Sequence, residues 1–262
     1  MGITEFRKPG CAKATGRPTL YVVGDSHAAA YMSLLRRLAD EQSVEVIVYK
    51  GPGCAFLPLF QSSLEVPPRC AAFSSQVVQQ IAGRSRPGDI VFLPSLRVKR
   101  LADQWGGLAT ARTLPDGMHI SEQSRQAALH DAAELLPPWL SSGLRVVFEA
   151  PTPIFRASLF RCSDWFNRMN PACGPGFSMS RAYLEAYRQP TMESLASLRS
   201  SFPAIIVWDP LPILCPGATC SASDAAGPLF FDSDHLSGHA NAVLYEPFVS
   251  VMRPLGLFEA RR

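Results

Sequence analysis

Gly24-Asp25-Ser26-His27 stands where an apolar run ends and a helical pattern begins. A serine hydroxyl is a weak nucleophile at neutral pH and attacks only when a neighbouring base removes its proton. Far along the chain, in FFDSDHLSGH (230–239), Asp232 and His235 are three residues apart, a spacing that puts two side chains on the same side of a helical turn. A carboxylate on the Nδ1–H of His235 fixes the tautomer and leaves Nε2 to take the Ser26 proton. The pair of motifs therefore predicts a Ser26–His235–Asp232 relay for acyl transfer. The Ser26 N–H, at the positive end of a helix, is a ready donor to an oxyanion. Asp234 is expected to point elsewhere, as a surface or capping acid. An ordinary helix cap by Asp25 or Ser26 explains the first motif taken alone; two such motifs on one frame argue for chemistry.

Other groupings carry less. His27 is expected to pack beside the nucleophile or to touch substrate. His235 and His239 are i, i+4 neighbours, but Gly238 lies between them and no third ligand is within reach by sequence, so no metal is expected. Glu149, Asp164 and Asp209 sit near strand ends, yet no pair stands out as a two-carboxylate glycosidase. Trp165 and Phe166, with Arg156, Arg161 and Arg168, suit stacking on a sugar ring and gripping a hydroxylated or anionic polymer. Trp165 as a plug of its loop onto the core is an equal reading.

The elements that must position these groups are strands at 19–23, 44–49, 89–93, 144–150 and 204–209, rich in β-branched residues and too continuously apolar to be half-exposed. Helical patterns alternate with them at 27–41, 71–83, 121–136, 180–200 and 237–252. That alternation predicts an α/β fold, a three-layer α/β/α sandwich around a five-stranded, mostly parallel sheet. Residues 94–120 and 151–179 lack periodicity, are dense in Pro, Gly, Arg and aromatics, and follow the carboxyl ends of strands, where open sheets place their sites. Residues 1–18 read as a linker and 19–262 as one domain.

With 47% apolar and 18% charged residues the chain is globular in composition. A formal charge of +3, no basic stripe and no glycine-rich phosphate loop argue against nucleic acid. No run approaches the ~18 apolar residues of a membrane span, and the first ten residues have no secretory signal pattern. Six of the seven cysteines fall into local pairs in loop sequence: Cys54 with Cys70, Cys162 with Cys173, Cys215 with Cys220. No spacing suits zinc, so the pairs suggest three disulfides and an oxidising compartment, periplasmic or extracellular, with Cys11 left over.

Gly24-Asp25-Ser26 with Asp232-x-x-His235 resembles the SGNH (GDSL-like) hydrolases. GDSHAAAY, GCAFLP, FRCSDWFNRMNPAC and DSDHLSGHANAVL are similar, more narrowly, to the extracytoplasmic SGNH domains fused to acyltransferase-3 membrane proteins, over roughly residues 19–250. The resemblance implies a flavodoxin-like sheet, no cofactor and an oxyanion glycine in the KGPGC turn, Gly53 or Gly51. The family's Gly-x-Asn-Asp block does not appear; LPSLRVKR stands there, with Ser95 or Arg97 as substitute donors. It further implies an O-acyltransferase, with acetyl the expected group, acting on a cell-surface glycan through an acyl-serine. Its partners are an acyl donor, the glycan acceptor and an upstream membrane acyltransferase domain. A carbohydrate O-acetylesterase or small-ester hydrolase, and a non-catalytic glycan-binding module, are the alternatives.

Overall fold

A computed structural model of the chain describes residues 1–8, 17–101, 120–162 and 177–259. Its central sheet has six strands: β1 (Gly2–Phe6), β2 (Thr19–Gly24), β3 (Glu45–Lys50), β4 (Ile90–Leu93), β5 (Arg145–Glu149) and β7 (Ile205–Trp208), in the spatial order β1-β3-β2-β4-β5-β7. Five of them are parallel to one another, as expected. The sixth, β1, lies antiparallel on β3 from Gly2↔Lys50 to Phe6↔Val46. Residues 1–18 are thus not simply a linker. The sequence of β1 gives little sign of this because the strand is paired on one side only and largely exposed.

Strand alternation sorts the apolar runs onto two faces. Leu20, Val22, Val46, Val48, Ile90, Phe92 and Val147 pack under α2 (Met32–Gln42) and α9 (Gly238–Met252), whose Leu35, Leu38, Leu244 and Phe248 are fully buried there. Tyr21, Val23, Ile47, Tyr49, Val91, Leu93, Val146 and Phe148 face the opposite layer. That layer comprises α3 (Pro68–Arg84), α4 (Glu122–Leu135), α5 (Pro137–Ser141) and α7 (Arg181–Ser201). The expected three layers are present. Consecutive strands β2 and β3 lead into helices on opposite faces, and β4 returns to the far side of β2, so the carboxyl end of β2 borders a topological switch point. The described parts of the stretch 151–179 hold α6 (Leu159–Cys162) and the start of β6 (Ser178–Ser180), which pairs antiparallel with β8 (Thr219–Ser221). The short α8 (Leu211–Leu214) follows β7. Among the described residues no helix is long and apolar enough to cross a membrane.

The helix expected over 27–41 is split into α1 (Ser26–Ala30) and α2 at Tyr31. Asn241 of α9, 2% exposed, inserts its amide where the 34→30 backbone bond would close. Its Oδ1 accepts from the Leu34 N–H (3.2 Å), and its Nδ2 donates to Ala30 O (2.7 Å) and Ser237 O (2.7 Å). A side chain in the i→i−4 ladder is a recognised cause of helix breaks. Here it also pins the helix that follows Ser26 to the helix that follows His235. Asn241→Ala is expected to lower unfolding free energy by ~1–3 kcal/mol, the cost of stranding buried polar groups, measured by urea denaturation.

Candidate active site

Ser26 opens α1 directly after β2. Asp25 caps the helix, its Oδ1 accepting from the His27 N–H at 3.0 Å. The Ser26 N–H, a first-turn amide, has no acceptor within its own helix. Gly24 is required by space: a Cβ there would stand 2.6 Å from the Pro94 carbonyl oxygen at the end of β4. The loop before α9 carries the other groups. Asp232 Oδ1 accepts from the backbone N–H groups of Asp234 (3.0 Å) and His235 (2.8 Å), a turn that aims its second oxygen at the His235 ring.

The resulting distances form a continuous relay. His235 Nδ1 lies 2.7 Å from Asp232 Oδ2, and His235 Nε2 lies 2.7 Å from Ser26 Oγ. With a carboxylate on Nδ1, that nitrogen carries the proton in the neutral ring and Nε2 is the free base facing the hydroxyl. Asp234 departs from expectation. It is 1% exposed, its Oδ1 lies 2.9 Å from the same Nδ1, and its Oδ2 is held by the Arg100 guanidinium. The chain turns tightly enough at Asp232 that both acids of DSDH face one imidazole. Burial opposes charging the ring, but hydrogen bonds and charge from Asp232 and Asp234 outweigh it and push His235 up to about 9. Burial likewise opposes charge on Asp234, yet His235, His27 and Arg100 together hold its carboxyl well below the usual carboxylate range.

His27 lies flat on the His235 ring, centroids 4.3 Å apart and planes at 21°, with Nδ1 3.2 Å from Asp25 Oδ1. It packs beside the relay and also lines a cavity of ≈ 190 Å³ shared with Asp25, Gly53, Ser95, Arg97 and Arg100. A larger cavity of ≈ 230 Å³ lies behind the loop that walls the first one, lined by Leu57, Ser62 and Asp131 among others. Ser26, Asp232 and His235 line neither cavity, but the smaller one is walled by Asp25 and His27, on either side of Ser26, and by Arg100, so it is the one next to the chemistry. His27, Asp234 and His235 are close enough to hold a metal ion. The two stacked rings, however, send their lone pairs side by side rather than to one point, and Arg100 already occupies Asp234. His239, expected to be no ligand, pairs with Asp224 at 2.8 Å.

The oxyanion candidates separate on geometry. The Gly51 N–H donates to Gly24 O (3.0 Å), which commits it to the backbone; Gly53, at φ 63°, lines the cavity. Arg97 is fully buried, against the expectation of a donor presented to substrate. Its Nη2 donates to Leu93 O (2.9 Å), its Nη1 to Ser95 O (3.5 Å), and its guanidinium lies 4.9 Å over the Phe148 ring. Burial pulls it down to about 10. Beside it, burial pushes Glu149 up to about 8, against the Tyr31 hydroxyl, the Arg97 charge and the Ser95 N–H (3.2 Å). Glu149 thus props the turn after β4. Ser95 lines the cavity but is only 2% exposed, and its buried Oγ has no hydrogen-bond partner among the described residues.

Asp209 is held bidentately by Arg188 (2.6 and 2.8 Å), so neither it nor Glu149 joins a carboxylate pair at the site. Disulfides Cys54–Cys70 and Cys215–Cys220 are present. The expected Cys162–Cys173 bridge, Cys11, Asp164, Trp165, Phe166 and Arg168, together with the Arg161 side chain, lie outside the described residues. Sequence reasoning missed Asn241 and Tyr31, and weighed Glu149 only as one member of a glycosidase pair. The signal for Glu149 was a lone acid at the end of a strand buried on both faces.

If His235 serves as base, it must be neutral. kcat/KM for ester cleavage is therefore expected to rise with pH toward about 9 rather than level off near 6.5, as a pH–rate profile of the free enzyme will read. The cystine spans 16 residues and braces a loop in which Leu57 (φ 49°) and Leu59 (φ 65°) are left-handed. Replacing Cys54 and Cys70 by Ser is expected to remove ~3 kcal/mol of stability by calorimetry, and to lower turnover further because Gly53 adjoins the bridge.

One solved structure shares the fold, and a second shows a weaker likeness. The periplasmic domain of the lipopolysaccharide acetyltransferase of Salmonella serovar Paratyphi A is 19% identical, with 93% of this chain and 86% of that one covered and a TM-score of 0.56. A protein of Slackia heliotrinireducens described as a candidate SGNH hydrolase is 16% identical, with 90% and 99% covered and a TM-score of 0.49. No curated protein sequence matches significantly. The family model for the SGNH domain fused to AT3 domains matches residues 4–250, so the chain belongs to that family of SGNH acyltransferase and esterase domains.

Proposed function

We propose that this domain transfers a small acyl group, acetyl in the first instance, from a donor to a hydroxyl of an extracytoplasmic glycan through an acyl-Ser26 intermediate. The observation that carries the reading is the unbroken Ser26–His235–Asp232 hydrogen-bond sequence at 2.7 Å per link. In the first half-reaction Ser26 Oγ attacks the acyl carbonyl carbon while His235 Nε2 takes its proton. The oxyanion is received by the N–H groups of Ser26 and Gly53, with Ser95 Oγ as third donor. The tetrahedral intermediate collapses, and the leaving group departs with the proton from His235. In the second half, His235 takes the proton of the sugar hydroxyl as it attacks the acyl-serine, and returns it to Ser26. Asp232 holds the ring in place and steadies the imidazolium.

Family membership supports an extracytoplasmic domain tethered through an acyltransferase-3 membrane domain, the source of acyl groups in this reading. The disulfides support the same compartment. A sugar acceptor is supported by Phe231, adjacent to Asp232 and 58% exposed, its ring stacked on Phe160 at 5.0 Å and 3°. Flat aromatic faces of this kind suit the apolar face of a pyranose.

With a chromogenic acetyl ester, Ser26→Ala is expected to lower kcat by ~10³-fold or more. Turnover unchanged by that substitution, with glycan still bound, leaves a binding module. Addition of an oligosaccharide should yield acetylated sugar by mass spectrometry; acetate alone makes the domain an esterase.

A further inference from the structure

One carboxylate suffices for the relay just described, yet a second faces the same ring. Asp232 Oδ2 and Asp234 Oδ1 lie 2.7 and 2.9 Å from His235 Nδ1. The far oxygen of Asp234 is held by Arg100, whose side chain is 36% exposed and reaches in from the segment after β4. Among the described residues, each charged or titratable group that the structure places against the ring has a role. Asp232 and Asp234 come from its own loop, His27 of α1 is stacked on it with Asp25 behind, and Arg100 stands behind Asp234. His27 Nε2 is 3.8 Å from Asp234 Oδ1, so that oxygen faces both rings.

We propose that Asp234 and Arg100 form a charge couple that sets the proton affinity of His235, and with it the pH range in which Ser26 is activated. Asp234 is then a positioning residue acting through His235, and Arg100 is its counterweight. The proposal rests on the Ser26–His235 reading. The physical basis is unequal distance in a dry setting. A buried carboxylate in direct contact with the ring favours the imidazolium strongly, while a cation on its other oxygen cancels part of that field from one side chain further away. A purely structural Asp234–Arg100 pair, holding the loop to the turn after β4, predicts no ordered effect on the titration of the ring.

The test is the titration midpoint of the His235 imidazole, read by NMR on the full chain. Five histidines make assignment tractable against His235→Gln. The pH profile of kcat/KM on the acetyl ester is the second readout. Asp234→Asn should lower the midpoint by about 1 pH unit or more and carry the acid limb of activity down with it. Arg100→Met should raise both. Because Asp234 is nearer the ring, the double variant should titrate between Asp234→Asn and wild type, and it decides the matter if a single variant fails to fold. Midpoints unchanged, or moved the same way by both single substitutions, overturn the proposal, as does a double variant titrating with wild type. The NMR readout needs no turnover, so loss of the Ser26-dependent reading and loss of the charge couple remain separate results.

Discussion

Ser26 Oγ and His235 Nε2 are separated by 209 positions in the chain and by 2.7 Å in space. Holding that gap is the constraint around which this architecture is arranged. A hydroxyl and an imidazole exchange a proton only within hydrogen-bond reach, and an error of 1 Å removes much of the benefit. The two ends are fixed by different means. Ser26 is carried on the rim of a strand buried from Leu20 to Gly24, brought close to Pro94 by the absence of a side chain at Gly24. His235 is carried on a turn wound around Asp232 and anchored by α9. Asn241 joins the two supports by replacing one backbone hydrogen bond of the Ser26 helix with its own amide.

Around that contact the structure buries several charges, which costs free energy unless each is matched. The matching has two layers. Asp232, Asp234, His235 and Arg100 compensate one another at the site. Below them Arg97, Glu149 and Tyr31 link the carboxyl ends of β4 and β5 to the start of α2. This lower layer occupies the turn after β4, where LPSLRVKR stands. The turn is held from inside by Arg97 and Glu149, and Ser95 Oγ is buried there with no hydrogen-bond partner among the described residues.

The relay residues could be read from the sequence because each belongs to a short motif whose local geometry implies its direction. GDS sits at a strand-to-helix junction, and DxxH places two groups on one side of a turn. Asp234 was misread for a corresponding reason. An acid beside the histidine points away in a regular helix, but residues 232–235 form a tight turn capped by Asp232, and in that turn adjacent acids converge. Arg97 was misread because its type suggested an exposed donor. Its left-handed backbone, φ 51°, turns the side chain inward to the carbonyls that end β4.

The strands, the helices and the two cysteine pairs that lie within the described residues were legible because burial on both faces, helical periodicity and short separation are local properties of the chain. Strand β1 was not, since five half-exposed residues become a strand only when the edge of β3 offers them partners. Neither the break at Tyr31 nor the depth of Glu149 can be read locally, because each depends on a group from another element. The amino-acid sequence by itself determined which side chains could do chemistry and on which elements they ride. Tertiary structure alone decided which groups surround the imidazole, because proton affinity follows distance and burial rather than position along the chain.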